Sequence, residues 1–144
     1  MFFFYDIEYL CWLNSLKQLD LIEEDGLKIL VPEMHLQNYG LAIRMQIQAI
    51  SNRKVLDIVD CDGFYDFLTQ YDLLDSIYGK GFLFLLHCAK QKNGIVIIGD
   101  DRKSQLQLCS NLEINTLSIA EFSSNVIRNK DYLVFINKIR SEML

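Results

Sequence analysis

Acidic residues in this chain recur just after short apolar runs, where carboxylates can hold a metal ion or direct a proton. Asp6 follows the aromatic run Phe2 to Tyr5, and Glu8 comes two residues later, in the first turn of a helix if one starts there. Asp100 and Asp101 follow Ile95 to Ile98 after a single glycine, and Asp60-Cys61-Asp62-Gly63 follows Val55 to Val59. An Asp at a strand-to-helix junction is also an ordinary helix N-cap, so both roles are open to Asp6. Two adjacent acids repel each other, which a cap alone does not call for, so an ionic role is favoured at Asp100 and Asp101. His87, inside FLFLLHCAK, reads as a hydrogen-bonded core histidine. Gly79-Lys80-Gly81 is too short for a phosphate loop and reads as a helix start. The four cysteines, Cys11, Cys61, Cys88 and Cys109, form no Cys-x-x-Cys pair and read as reduced, buried apolar groups.

The positions of these acids depend on the elements that carry them. Phe2 to Tyr5 has the continuous apolar composition of a strand buried on both faces. Helical spacing predicts a helix from Ile7 to Leu19, with Leu10, Leu13, Leu16, Lys17 and Leu19 along one face, and a turn at Asp25-Gly26. Leu27 to Val31 is a second strand. Pro32-Glu33 starts a helix that should run to about Ala49, because Pro suits the first helical position and an acid suits the positive helix end. Val55 to Val59 is a third strand, ending in the Asp60 to Gly63 turn. Two short helices, Phe64 to Gln70 and Leu73 to Tyr78, precede a buried helix from Phe82 to Lys92, which Asn93-Gly94 stops. Ile95 to Ile98 is a fourth strand, Lys103 to Leu112 a helix, Thr116 to Ser118 a fifth strand, and Asp131 to about Ser141 a C-terminal amphipathic helix. Its stripe of Tyr132, Phe135, Ile136 and Ile139 suits docking on the domain or pairing with a second copy.

Strands alternating with helices imply an α/β fold with a parallel sheet. Ligands bind such sheets beyond the carboxyl ends of the strands, where the strand order reverses. If the first and fourth strands are neighbours, Asp6 converges with Asp100 and Asp101.

At 144 residues the chain is one domain long, and 51% apolar with 23% charged residues is the composition of a globular core. The net charge of -5 repels phosphate, so contact with nucleic acid would have to be local or bridged by a metal. MFFFYDIEYLCWL lacks a basic leader and carries Asp6 and Glu8, which makes it a poor signal peptide. The longest strongly apolar stretch, Phe82 to Leu86, is far shorter than the ~20 residues a membrane span needs. A cytoplasmic protein with no membrane partner is expected.

YDIEYLCWLNSLKQLDLIEEDGLKILVPEMHLQNY resembles the opening of PIN-type nuclease domains, especially those related to toxin ribonucleases of toxin-antitoxin pairs, and IIGDDRKSQLQLCSNLEINTLSIAEF resembles their closing half. The markers are the strand-end acid, the Val-Pro-Glu helix start and the strand ending in Asp-Asp-Arg-Lys. The resemblance implies one three-layer PIN-like domain over residues 1–144, with a five-stranded, mostly parallel sheet in the order 3-2-1-4-5. It also implies carboxylates around Mg²⁺ or Mn²⁺ that activate water for attack on RNA. The first acid matches Asp6 and the last matches Asp101 or Asp100, with Glu8 a replacement charge at the helix start. The second-helix acid falls on Asn38, whose amide can ligate but brings no charge. The acid that opens the buried helix is replaced by Phe82, which cannot ligate at all.

A depleted site of this kind should hold Mg²⁺ or Mn²⁺ weakly. It suits a weak or inactive nuclease that acts through a partner or nucleic acid, with an active ribonuclease using Asp6, Glu8, Asp100 and Asp101 as the alternative. The resemblance allows a homodimer, an antitoxin-like protein or RNA as partners. A distant alternative is a phosphohydrolase of the haloacid-dehalogenase type, because VLDIVDCDGF with the later Gly99-Asp100-Asp101 is similar to its acidic motifs. That reading would use Asp60 and Asp62.

Overall fold

The computed structural model describes residues 1–15, 17–51, 53–71 and 77–123. The aromatic run at the start forms β1 (Phe2–Phe4), and all three of its residues are buried. A strand covered on both faces must sit inside a sheet, and β1 is the central strand. It pairs in parallel with β2 (Ile29–Pro32) on one side and β4 (Ile95–Ile97) on the other. β3 (Leu56–Val59) and β5 (Thr116–Leu117) are the edges, also parallel, giving the order β3-β2-β1-β4-β5. The registers Phe2↔Ile95 and Phe4↔Ile97 bring the ends of β1 and β4 side by side. The order reverses between these two strands.

Alternation along β1 builds two cores. Phe2 and Phe4 face one layer, made by α1 (Ile7–Ser15), α2 (Leu19–Glu24) and α4 (Leu41–Ile50), where Leu10, Leu13, Ile22 and Ile47 are buried. Phe122, just after a single helical turn α8 (Ile119–Glu121), meets both rings edge-on at 5.1 and 5.2 Å. Phe3 faces the other layer, made by α5 (Phe64–Gln70), α6 (Lys80–Gln91) and α7 (Lys103–Asn111). The short α3 (Glu33–Leu36) lies across the top of the sheet, with Leu36 in the first core and Met34 packed on the second. A five-stranded parallel sheet between two helical layers is the expected α/β architecture. Among the described residues no helix is long and apolar enough to cross a membrane.

Two expected helices are broken. The first stops at Ser15 and restarts at Leu19, because Lys17 takes a left-handed turn with φ 61° and the Gln18 N–H closes back on the Leu13 carbonyl at 2.9 Å. The same closure ends α6 at Asn93 and α7 at Glu113, where the next N–H, of Gly94 or Ile114, returns to Ala89 or Cys109. Such a closure suits glycine best and asparagine next, so its use of Lys17 and Glu113 hides it from a sequence pattern, whereas Asn93-Gly94 shows it. The second expected helix divides into α3 and α4 around Gly40, which has extended backbone at the start of α4. Pro32 is the last residue of β2 and precedes the helix rather than beginning it. The expected helix at Leu73 to Tyr78 falls largely outside the described residues, as does the one at Asp131 to Ser141.

Gly94 is required by space. A Cβ there would lie 2.5 Å from the Phe3 ring, which is fully buried and has nowhere to go. Gly94→Ala should therefore lower stability by about 1–3 kcal/mol, the usual cost of overpacking. Glu113→Gly should raise it by up to about 1 kcal/mol by relieving a left-handed non-glycine residue. Denaturant melts of the two variants read the opposite signs.

Candidate functional site

The carboxyl end of β1 is assembled around the backbone of Tyr5. Its N–H continues the sheet to the Ile97 carbonyl at 2.9 Å. Its carbonyl accepts two bonds from beyond the sheet, one from His35 Nε2 at 2.7 Å and one from the Tyr39 hydroxyl at 2.9 Å. Since a carbonyl only accepts, the His35 proton is on Nε2. The Tyr39 oxygen in turn accepts the Ile7 N–H at 3.3 Å, at the first turn of α1. Asp6 is thus held between a braced strand end and a braced helix start.

Arg102 faces Asp6. Its guanidinium is 3.8 Å from Asp6 Oδ1 and lies 5.2 Å from the centre of the Tyr5 ring. Phe82, at the start of α6, also meets that ring edge-on at 5.4 Å and is itself buried. Asn38 lies over the preceding residue, Gly81, where an added Cβ would fall on its side-chain amide. Asp6, Phe82, Asn38 and the turn from Gly99 to Arg102 are therefore parts of one neighbourhood at the strand-order reversal.

Asp100 and Asp101 are exposed, and the helix behind them is capped by neither. The N-cap of α7 is Arg102, with no side-chain cap bond. Asp101 instead lies against Gly99, its Oδ1 2.6 Å from where a Cβ would begin. Glu8 is exposed on α1, and its charge acts on Cys11 and Tyr39. Among the described residues no three Asp, Glu, His or Cys side chains are grouped to hold a metal ion. Mg²⁺ demands several oxygen ligands in near-octahedral array. Asp6, facing Arg102, the Phe82 ring and the neutral amide of Asn38 bring one carboxylate among them.

The acids of the third group stand apart. Asp60 Oδ1 accepts the N–H of Cys61 at 2.9 Å, while the carbonyl of Asp62 accepts from His87 Nε2 at 2.7 Å and from the Gln91 amide at 3.3 Å. Their strand is an edge of the sheet, three strand spacings or roughly 14 Å from β4. Asp60 and Asp62 do not meet Asp100 and Asp101, as a haloacid-dehalogenase-type centre would need. His87 is hydrogen-bonded but only partly buried, its ring packed beside Phe64 and Phe67. The four cysteines are buried and unpaired as disulfides. Burial pushes the Cys109 thiol up to about 11, and burial with the hydrogen bond to Cys61 raises Cys88 further, so both stay protonated.

The chain matches no family model, no curated protein and no solved structure.

Spacing gives no signal for His35 or Tyr39, since a lone histidine after a helix start resembles any other. His35 is 4% exposed, and its Nδ1 has no hydrogen-bond partner among the described residues. Burial pushes its pKa below the ordinary 6.5, against the opposing pull of the Tyr5 carbonyl and Asp6. The unfolded chain takes up this proton at its ordinary pKa while the folded chain resists it. Stability is therefore present above pH 6.5 and lost as the pH falls below it. Denaturant melts between about pH 7.5 and 5.5 should show that loss, and His35→Phe should flatten it.

Proposed function

We propose that the chain is a PIN-like domain with a depleted acidic site, which acts by binding a protein or nucleic-acid partner and cleaves RNA weakly or not at all. The observation that carries this reading is the pairing of Asp6 with Arg102 beside the Phe82 ring. Where a metal-dependent nuclease concentrates negative charge, this end of the sheet answers its strand-end acid with a cation and fills the adjoining space with an apolar side chain. The strand order, with β1 and β4 adjacent and an acid beyond each, supports the PIN-like part.

Phosphodiester cleavage by such a site depends on a firmly held ion that stabilises charge and activates water. Asn38 and Phe82 supply neither charge nor, in the second case, a ligand atom. An ion recruited by Asp6 would also compete with the guanidinium of Arg102. These features together favour recognition over hydrolysis.

The test is cleavage of single-stranded and structured RNA by purified protein in Mg²⁺ and then Mn²⁺. An Asp6→Asn, Asp101→Asn double variant serves as the control for contaminating nuclease. Wild type and double variant should release the same background of product. Metal-dependent cleavage present in wild type and absent from the double variant would replace this reading with an active ribonuclease using Asp6, Glu8, Asp100 and Asp101.

A further inference from the structure

Away from the strand-end acids, α3 and α4 enclose an open groove of about 510 Å³. Leu36 forms its buried floor, Glu33 stands on the α3 wall, and Leu41, Arg44 and Met45 line the α4 wall. Leu41 is 64% exposed and Met45 63%, although both are large apolar residues and lie one helical turn apart. Two such residues aligned on one ridge form a contact stripe, whereas isolated exposed leucines need no explanation.

Arg44 sits on the same stripe, between them. It is half-buried, its Nε is buried with no hydrogen-bond partner, and among the described residues no carboxylate pairs with it. A buried N–H without an acceptor is costly, and a guanidinium fork is best matched by a carboxylate. The groove thus offers apolar contacts flanking one unmet demand for negative charge.

We propose that this groove docks an amphipathic helix of a partner protein, which sets apolar side chains against Leu41 and Met45 and a carboxylate against Arg44. The i, i+3, i+4 spacing of the α4 wall suits the ridges of an incoming helix. Glu33 on the facing wall limits the occupant to a helix with a carboxylate on one side only. A second copy is the competing occupant, since a two-fold contact here sets Arg44 of one copy against Glu33 of the other, and the experiment below separates the two. The groove is built without Asp6, Phe82 or Arg102, so the inference does not rest on the PIN-like reading.

The full chain would be titrated by fluorescence anisotropy with two labelled synthetic helices that share a leucine stripe, one flanked by Glu and the other by Lys. The Leu/Glu helix should bind. Leu41→Ser with Met45→Ser should weaken it by about tenfold or more, and Arg44→Gln should remove its advantage over the Leu/Lys helix. All these positions are on the surface or its rim, and circular dichroism would confirm that each variant is folded. Absence of binding, or equal binding of both helices by wild type, would overturn the proposal. So would self-association in sedimentation experiments that the Leu41→Ser, Met45→Ser variant abolishes, which would give the groove to a second copy.

Discussion

A strand buried on both faces has no side on which to keep polar groups, so its ends must settle them. In this chain that constraint falls on the carbonyl of Tyr5, where β1 stops. His35 and Tyr39 both donate to it, and Tyr39 passes the connection on to the first N–H of α1. The two donors come from the segment after β2, so satisfying one oxygen ties α3 and the turn behind it to the middle of the sheet. That tie adds to the packing of Leu36 and Met34 on the two cores, and α3 depends on both, since so short a helix is not stable by itself.

The same strand end explains the character of the acidic neighbourhood. The Tyr5 ring meets both Phe82 and the guanidinium of Arg102, so an apolar side chain and a cation share one aromatic neighbour. Arg102 bridges Tyr5 and Asp6, which are neighbours in sequence. The result is a locally balanced surface within a chain whose overall charge is -5. An exposed ion pair of this kind adds little to stability. Its effect is on what can approach Asp6.

Much of this was legible from residue order. The aromatic run of β1, the β-branched β3 and the Asn93-Gly94 stop each announce themselves by composition, and alternation of strand and helix implies a parallel sheet. The acids after β1 and β4 were legible as a pair because strand ends are where such sheets bind. The break at Lys17 was not, since the left-handed turn uses a residue that carries no signal for it, and the division around Gly40 was hidden inside a continuous helical pattern. Arg102 stood in plain view within Asp-Asp-Arg-Lys, yet its meeting with Asp6 is a contact between distant parts of the chain. The role of His35 depends likewise on where the Tyr5 carbonyl ends up.

The pairing of Phe2 with Ile95 has a consequence for the chain while it is being made. Domains begin to organise from the amino end during synthesis. β1, β2 and β3 can come together as soon as residues up to Val59 have emerged, in the order in which they sit in the sheet. β1 then has one bare edge, and Phe3 lacks the helical layer that covers it in the finished protein. An uncovered edge with an exposed aromatic ring is a template for the wrong partner. The half-sheet of β1, β2 and β3 therefore keeps a bare pairing edge until α6 and β4 have formed beside it.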